Sequence, residues 1–194
     1  YTEDNDDDGN RGCRTVWVVE GARYGFFSAD GSRTWQADRR PGQEVQTAHW
    51  HADDPGVMPT WTINGAGAPT GVCVYEGGPL PGLEGSVLNC DAGAGVVYVH
   101  MPVQEGSGYR LEPSVLLGRT KESGRAVGDG KGKWFRPVDV CVSVDGAIYV
   151  ADWYDPVVGG HAVREGGAYG RILRVEPEVH TAELREGLRS PCLS

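Results

Sequence analysis

No apolar run in these 194 residues approaches the roughly 20 that a helix needs to cross a bilayer, and no signal-peptide pattern opens the chain. A membrane span is therefore not expected in this segment. Basic residues are also in short supply: Lys and Arg number 18 against 27 Asp and Glu, a formal charge of −9. Nucleic acid and anionic membrane surfaces both call for a basic face, so neither is expected as a partner. The five cysteines form no Cys-x-x-Cys pair and no haem-attachment motif, so no structural zinc is expected. Only two methionines and three phenylalanines are present, against thirty glycines and twelve prolines. That balance suits an all-β, turn-rich domain better than a helical one. The start at Tyr1 and the end at Ser194 read as those of a fragment.

What is present is alternation. In residues 134–153, Val138, Val140 and Val142 alternate with Asp139 and Cys141, Asp145-Gly146 turns the chain, and Ile148 and Val150 alternate with Tyr149 and Ala151. This predicts a β-hairpin with positive φ in its turn. Further strands are expected over 14–20, 68–75, 86–90, 96–101 and 113–117. The units repeat. Pro69-Thr-Gly-Val-Cys-Val is echoed by Pro137-Val-Asp-Val-Cys-Val, Gly85-Ser-Val-Leu-Asn-Cys-Asp by Gly146-Ala-Ile-Tyr-Val-Ala-Asp, and Gly95-Val-Val-Tyr-Val by Gly170-Arg-Ile-Leu-Arg-Val. Four strands per recurring unit is the signature of propeller blades, since a single sandwich does not require recurrence. Cys73 and Cys141 hold matching places in that repeat and read as small buried residues.

Several stretches invite a chemical reading. Asp4, Asp6 and Asp8 alternate ahead of Gly9, as in the opening of a calcium loop, where oxygens at alternate positions converge on one hard cation. Thr15 stands where an EF-hand has its bidentate glutamate, so a helix-loop-helix is not expected, and a solvated acidic loop is the plain alternative. Residues 30–59 show no period and are long for an idle connection. Within them His49 and His51 flank Trp50 and could reach one metal from an extended chain, although exposed loop histidines are commoner. Residues 118–133 read as a solvated loop and 154–168 as an insertion projecting from the hairpin. Residues 178–194 turn to a helical pattern.

Gly-Ala-Arg-Tyr-Gly-Phe at 21–26, Ala-Pro-Thr-Gly at 68–71, Phe-Arg-Pro-Val-Asp-Val at 135–140, Asp-Gly-Ala-Ile-Tyr-Val-Ala-Asp-Trp at 145–153 and Gly-Arg-Ile-Leu-Arg-Val at 170–175 together resemble one family. It is that of the membrane-bound dehydrogenases inferred in planctomycetes and their relatives, similar in turn to soluble PQQ-dependent glucose and sorbosone dehydrogenases. The resemblance implies a six-bladed β-propeller, of which residues 1–177 would hold about two and a half blades of four-stranded antiparallel sheet. Residues 178–194 would then begin a helical, HEAT-like domain. It also implies PQQ over the central channel, met by Thr70 and Arg136 on loops opening the innermost strands. A guanidinium suits a quinone carboxylate by its planar pair of donors. A second arginine usually follows two residues on, where this chain has Val138. Asp152 and His161, at the hairpin end and in its insertion, complete the candidate cofactor contacts. Each has a plain reading: Arg136 paired with Asp139 or Asp152, Asp152 closing its turn, and His161 capping one.

The resemblance further implies an extracytoplasmic, periplasmic location, a sugar or other alcohol as substrate, and an electron acceptor such as a cytochrome c domain carrying haem c. The catalytic histidine would lie outside this segment. The competing reading is a non-catalytic propeller that presents Trp50, Trp61, Trp153 and Tyr154 to a carbohydrate or binds a protein partner.

Overall fold

The computed structural model describes residues 2–3, 12–26, 39–64, 67–106, 108–118, 125–126, 134–154 and 170–177. Three antiparallel sheets follow one another along the chain. The first contains β1 (Thr2–Glu3), β2 (Cys13–Thr15) and β3 (Thr62–Asn64), with a short helix α1 (Val45–His49) between β2 and β3. The second runs β4 (Pro69–Val74), β5 (Val87–Asp91), β6 (Val96–Glu105) and β7 (Gly108–Gly118), with the two-residue β8 (Arg125–Ala126) added in parallel to β7. The third is β9 (Pro137–Val142), β10 (Ile148–Asp152) and β11 (Arg171–Val175). Sequential strands pair in a meander within each sheet, and the sheets stack face to face: the molecule is a partial β-propeller.

The repeat seen in the sequence is a repeat of burial. Leu88, Cys90, Val97, Val99 and Leu117 of the second sheet meet Val140, Ile148, Val150 and Val175 of the third, with Tyr75 and Phe135 closing the ends of the cluster. Alternation puts Asn89 and His100 on the other face of the second sheet, toward the first sheet, and Cys141, Tyr149 and Ile172 on the outer face of the third. The inner strands β4 and β9 approach so closely that a Cβ on Gly71 would lie 2.6 Å from the Asp139 Cα. Only glycine permits that separation.

Tyr75 locks the two sheets at one end. Its fully buried hydroxyl donates to the Gly146 carbonyl at 3.1 Å and accepts from the Leu80 amide at 3.1 Å. Gly146 lies in the predicted β9–β10 turn, but Asp145 does not share its positive φ. Gly146 alone has φ +78°, the Ser143 amide bonds the Ala147 carbonyl, and the Asp145 carboxylate accepts from the Ala147 amide. This is a three-residue loop closed by a left-handed glycine rather than a two-residue turn.

Three expectations are revised. The strand expected over 14–20 ends at Thr15, because the Tyr24 hydroxyl takes the Val19 amide at 2.6 Å and donates to the Trp17 carbonyl at 2.9 Å, drawing 17–19 out of any ladder. The fourth strand of the second sheet is eleven residues rather than five. Pro113 sits in it without cost, since β7 has a second neighbour only at Leu117 and Gly118. Cys141 is exposed, not buried, since nothing among the described residues covers the outer face of the third sheet, whereas Cys73 is half-buried against the core. The helical pattern at 178–194 lies outside the described residues.

Candidate functional site

Register fixes which end of the sheets carries the loops of interest. Pro69 opens β4 opposite Asp91, the last residue of β5, and Pro137 opens β9 opposite Asp152, the last residue of β10. Ala68, the 92–95 turn, Arg136, Trp153 and Arg171 therefore share one end, called here the mouth. The same device recurs there in both sheets. Proline has no amide proton to give, so the aspartate bonds the amide of the residue before it. Asp91 Oδ1 accepts from the Ala68 amide at 2.9 Å and from the Ala94 amide at 2.9 Å. Asp152 Oδ1 accepts from the Arg136 amide at 2.7 Å and the Tyr154 amide at 2.9 Å. Burial pushes the Asp91 carboxyl above the usual carboxylate range, while the bonds from Ala94, Ala68 and Gly93 and the nearby Arg136 charge pull it back.

Of the candidate cofactor contacts, three lie here and each already holds a protein partner. Arg136 is only 6% exposed, and its Nη1 donates to the Ala92 and Gly93 carbonyls at 2.9 and 3.1 Å, bridging the third sheet to the second. Thr70 Oγ1 donates to the Pro137 carbonyl at 3.1 Å, a second tie across the same seam. Asp152 is buried, and its Oδ2 receives Arg171 Nε at 2.7 Å. The structure thus joins Arg136 to Asp152 through the Arg136 amide. His161, Asp4, Asp6 and Asp8 lie outside the described residues.

Sequence reading missed the group that this framework supports. Trp134 and Tyr154 stack at 5.5 Å between centroids with planes 29° apart, and the Arg171 guanidinium lies 4.3 Å from the centre of the Tyr154 ring. The Asp152 carboxylate fixes Arg171 edge-on while the ring holds its face. Tyr154 has φ +58°, an uncommon conformation for a residue with a side chain. The Asp152 bond to its amide holds it there. Trp153, 45% exposed, and Ile172 flank a hollow of about 430 Å³ lined also by Val138, Ala151 and Gly170. In the sequence Arg171 stood only as the first residue of a repeated strand, Gly170-Arg-Ile-Leu-Arg-Val. Its meeting with Tyr154 spans a 17-residue interval that no local pattern encodes.

Elsewhere two expectations fail on geometry. Trp50 is not presented to solvent: it is buried under the Arg14 guanidinium, 3.7 Å from the ring centre, and its Nε1 donates to the Gly12 carbonyl at 3.0 Å. His49 and His51 do not extend from one strand. His49 ends α1 with its ring edge-on to Trp50, whereas His51 turns at φ +50° and is buried with Nδ1 2.7 Å from the Gly25 carbonyl. Among the described residues no cluster of three or more His, Cys, Asp or Glu side chains could hold a metal ion, and no helix is long and apolar enough to cross a membrane.

No curated protein matches this chain. A solved structure from Thermus thermophilus, provisionally named an oxidoreductase (glucose dehydrogenase), is similar to it at 16% identity with a TM-score of 0.53. The alignment covers 89% of this chain and 40% of that one, so the chain spans less than half the length of the neighbour. At that identity the likeness speaks for the fold, a dehydrogenase-like propeller. A family described as a domain of unknown function, DUF7133, matches residues 31–179. That match takes in the greater part of the three sheets and the whole mouth, and the chain belongs to the DUF7133 family.

Proposed function

We propose that this propeller belongs to a dehydrogenase that oxidises a sugar or other alcohol, with its reacting groups gathered over the mouth. The observation that supports this reading is the Trp134–Tyr154–Arg171 stack, pinned from below by the buried Asp152. Flat aromatic faces receive sugar rings and planar cofactors alike, and a guanidinium held at a fixed angle receives a carboxylate or a hydroxyl. A membrane-bound type like that of planctomycetes, a cytochrome c acceptor with haem c, and an extracytoplasmic site of action belong to the same proposal.

The cofactor proposed is a quinone of the PQQ type, which when bound supplies a two-electron acceptor. Its flat, anionic form suits this group, where Arg171, held on the Tyr154 ring, offers charge and the aromatic pair offers an apolar wall. Thr70, Arg136 and Asp152 would shape the floor beneath it, since Thr70 Oγ1, Arg136 Nη1 and both Asp152 carboxylate oxygens are bonded within the protein. His161 is proposed as a further contact. Asp4, Asp6 and Asp8, in the connection between β1 and β2, are proposed to hold calcium.

The test is made on the full-length protein. Purified after chelation, it should regain dye-linked oxidation of sugars or alcohols when PQQ and calcium are returned together. Arg171→Ala should lower that activity at least tenfold, and Arg171→Lys should restore only part of it. Reconstituted turnover that is indifferent to Arg171 would remove the mouth from the mechanism. Sugar binding without any dye reduction would favour the non-catalytic propeller, which Trp153 and Tyr154 serve equally well.

A further inference from the structure

At the end of the sheets away from the mouth, three aromatic rings from distant parts of the chain converge. β6 and β7 continue past His100, where β5 stops at Val87, and form a hairpin that overhangs the first sheet. The Leu111 amide on that hairpin lies 3.5 Å from the Trp61 carbonyl. Trp17 then stands 6.1 Å from Trp61 and 5.7 Å from Tyr109 between ring centroids, with planes tilted by 35° and 59°. The group is not sealed. Trp17 is 39% and Tyr109 45% exposed, and the exposed Gln104 is the direct cross-strand partner of Tyr109. The Tyr24 phenol fixes the backbone on either side of Trp17 by bonding the Trp17 carbonyl and the Val19 amide.

We propose that this overhang is a binding site for a neutral carbohydrate chain, separate from the mouth and independent of the chemistry proposed there. Three features select that occupant. Large aromatic faces left partly open on a β-scaffold, Trp17 and Tyr109 among them, suit the apolar faces of pyranose rings. The rings are tilted about Trp17 rather than coplanar, so they describe a curved track, which fits a twisting oligosaccharide better than one flat ring. The polar groups within reach, the Gln104 amide and the Tyr109 hydroxyl, are uncharged and both donate and accept, as a sugar hydroxyl requires. On the hairpin itself the guanidinium among the described residues, that of Arg110, lies on the opposite face of β7 from Tyr109 and is paired with Glu112 at 3.1 Å and Glu105 at 3.8 Å, so it does not serve an anionic glycan at the rings. A net charge of −9 disfavours polyanions further.

The experiment uses the full-length protein and a panel of neutral hexasaccharides of glucose, xylose and mannose, followed by intrinsic tryptophan fluorescence and calorimetry. At least one should bind. Tyr109→Ser, at an exposed position that leaves Leu111 in place, should weaken binding at least tenfold, and Trp17→Ala should abolish it. Arg171→Ala at the mouth should leave the affinity unchanged, which separates this site from the proposed reaction centre. Binding that survives Tyr109→Ser, in a variant of unchanged melting temperature, would overturn the proposal. So would failure of every hexasaccharide to bind, or a concentration-dependent dimer that Tyr109→Ser dissolves, which would make the patch a contact between copies.

Discussion

His100 shows how one buried side chain sets a pH limit. It lies fully inside the second sheet with Nε2 2.5 Å from Asn89 Oδ1, while its Nδ1 and the Asn89 Nδ2 have no partner. Burial pushes the imidazole from its ordinary value of 6.5 down to about 4, so the folded protein keeps it neutral where the unfolded chain would take up a proton. The unfolded state therefore binds more protons between those values, and stability falls as pH drops from about 6.5 toward 4, by up to about 3 kcal/mol. Asp91 acts in the opposite sense: its raised carboxyl is easier to protonate when folded, so it lends stability in acid that is lost as pH rises through its folded value. His100→Gln should flatten the acid limb in urea titrations of the full-length protein at pH 7, 6, 5 and 4.5. An unchanged slope would show that other groups set it. The candidate contacts were legible at this scale as residue types: Asp152 does close its turn, as its plain reading held. The partners of Arg136 were not, since the carbonyls of Ala92 and Gly93 stand 44 and 43 positions away.

The elements were easier to read than their lengths. Alternation and β-branching located β4, β5, β9 and β10 because each turns at least one face toward the core, β4 through the partly buried Cys73, and the repeat supplied their pairing. It could not show that β6 and β7 would run on past their neighbours, because Met101, Val103 and Leu111 alternate in the same way whether or not a neighbouring strand continues. The connection between β4 and β5 also has a role invisible locally. Tyr75 reaches from it to Gly146, and Gly78 meets Gly146 backbone to backbone, where a Cβ on Gly78 would lie 2.8 Å from the Gly146 Cα. Tyr75→Phe keeps the packing but strands the Gly146 carbonyl and the Leu80 amide, which should cost about 1–3 kcal/mol. Hydrogen exchange at Gly146 and Ala147 should speed up with it. A loss below about 0.5 kcal/mol would mean that water replaces the phenol.

For the whole molecule the stacking of sheets matters more than any single strand. The second sheet is covered on both faces, by the first sheet and the third. The third has its outer face open, where Ile172 is 66% exposed and Trp153, Tyr149 and Cys141 accompany it. The chain spans 40% of the length of the similar solved structure, and an apolar sheet face left this open is one against which another sheet can pack. Ile172→Asp should then destabilise the full-length protein by about 2–4 kcal/mol, through an unpaired carboxylate placed in an interface. In the 194-residue chain alone the same change should cost almost nothing and should reduce self-association, read by sedimentation at increasing concentration. Equal, small effects in both would show that this face is open to solvent in the complete protein.

What the sequence determined by itself was the class of fold and the place of its joints: period-two alternation, Asp-Gly and Pro punctuation, and a recurring unit whose matched aspartates, Asp91 and Asp152, turned out to do matched work. These are local signals, written in neighbours along the chain. The tertiary structure alone decided which side chains meet. It turned Arg136 and Thr70 inward to tie one sheet to the next, buried Trp50 beneath Arg14, and brought Trp134, Tyr154 and Arg171 to one end of the stack and Trp17, Trp61 and Tyr109 to the other. The physical reason is that a sheet's pattern specifies a face to be covered, whereas the partner that covers it is chosen only when whole sheets pack together.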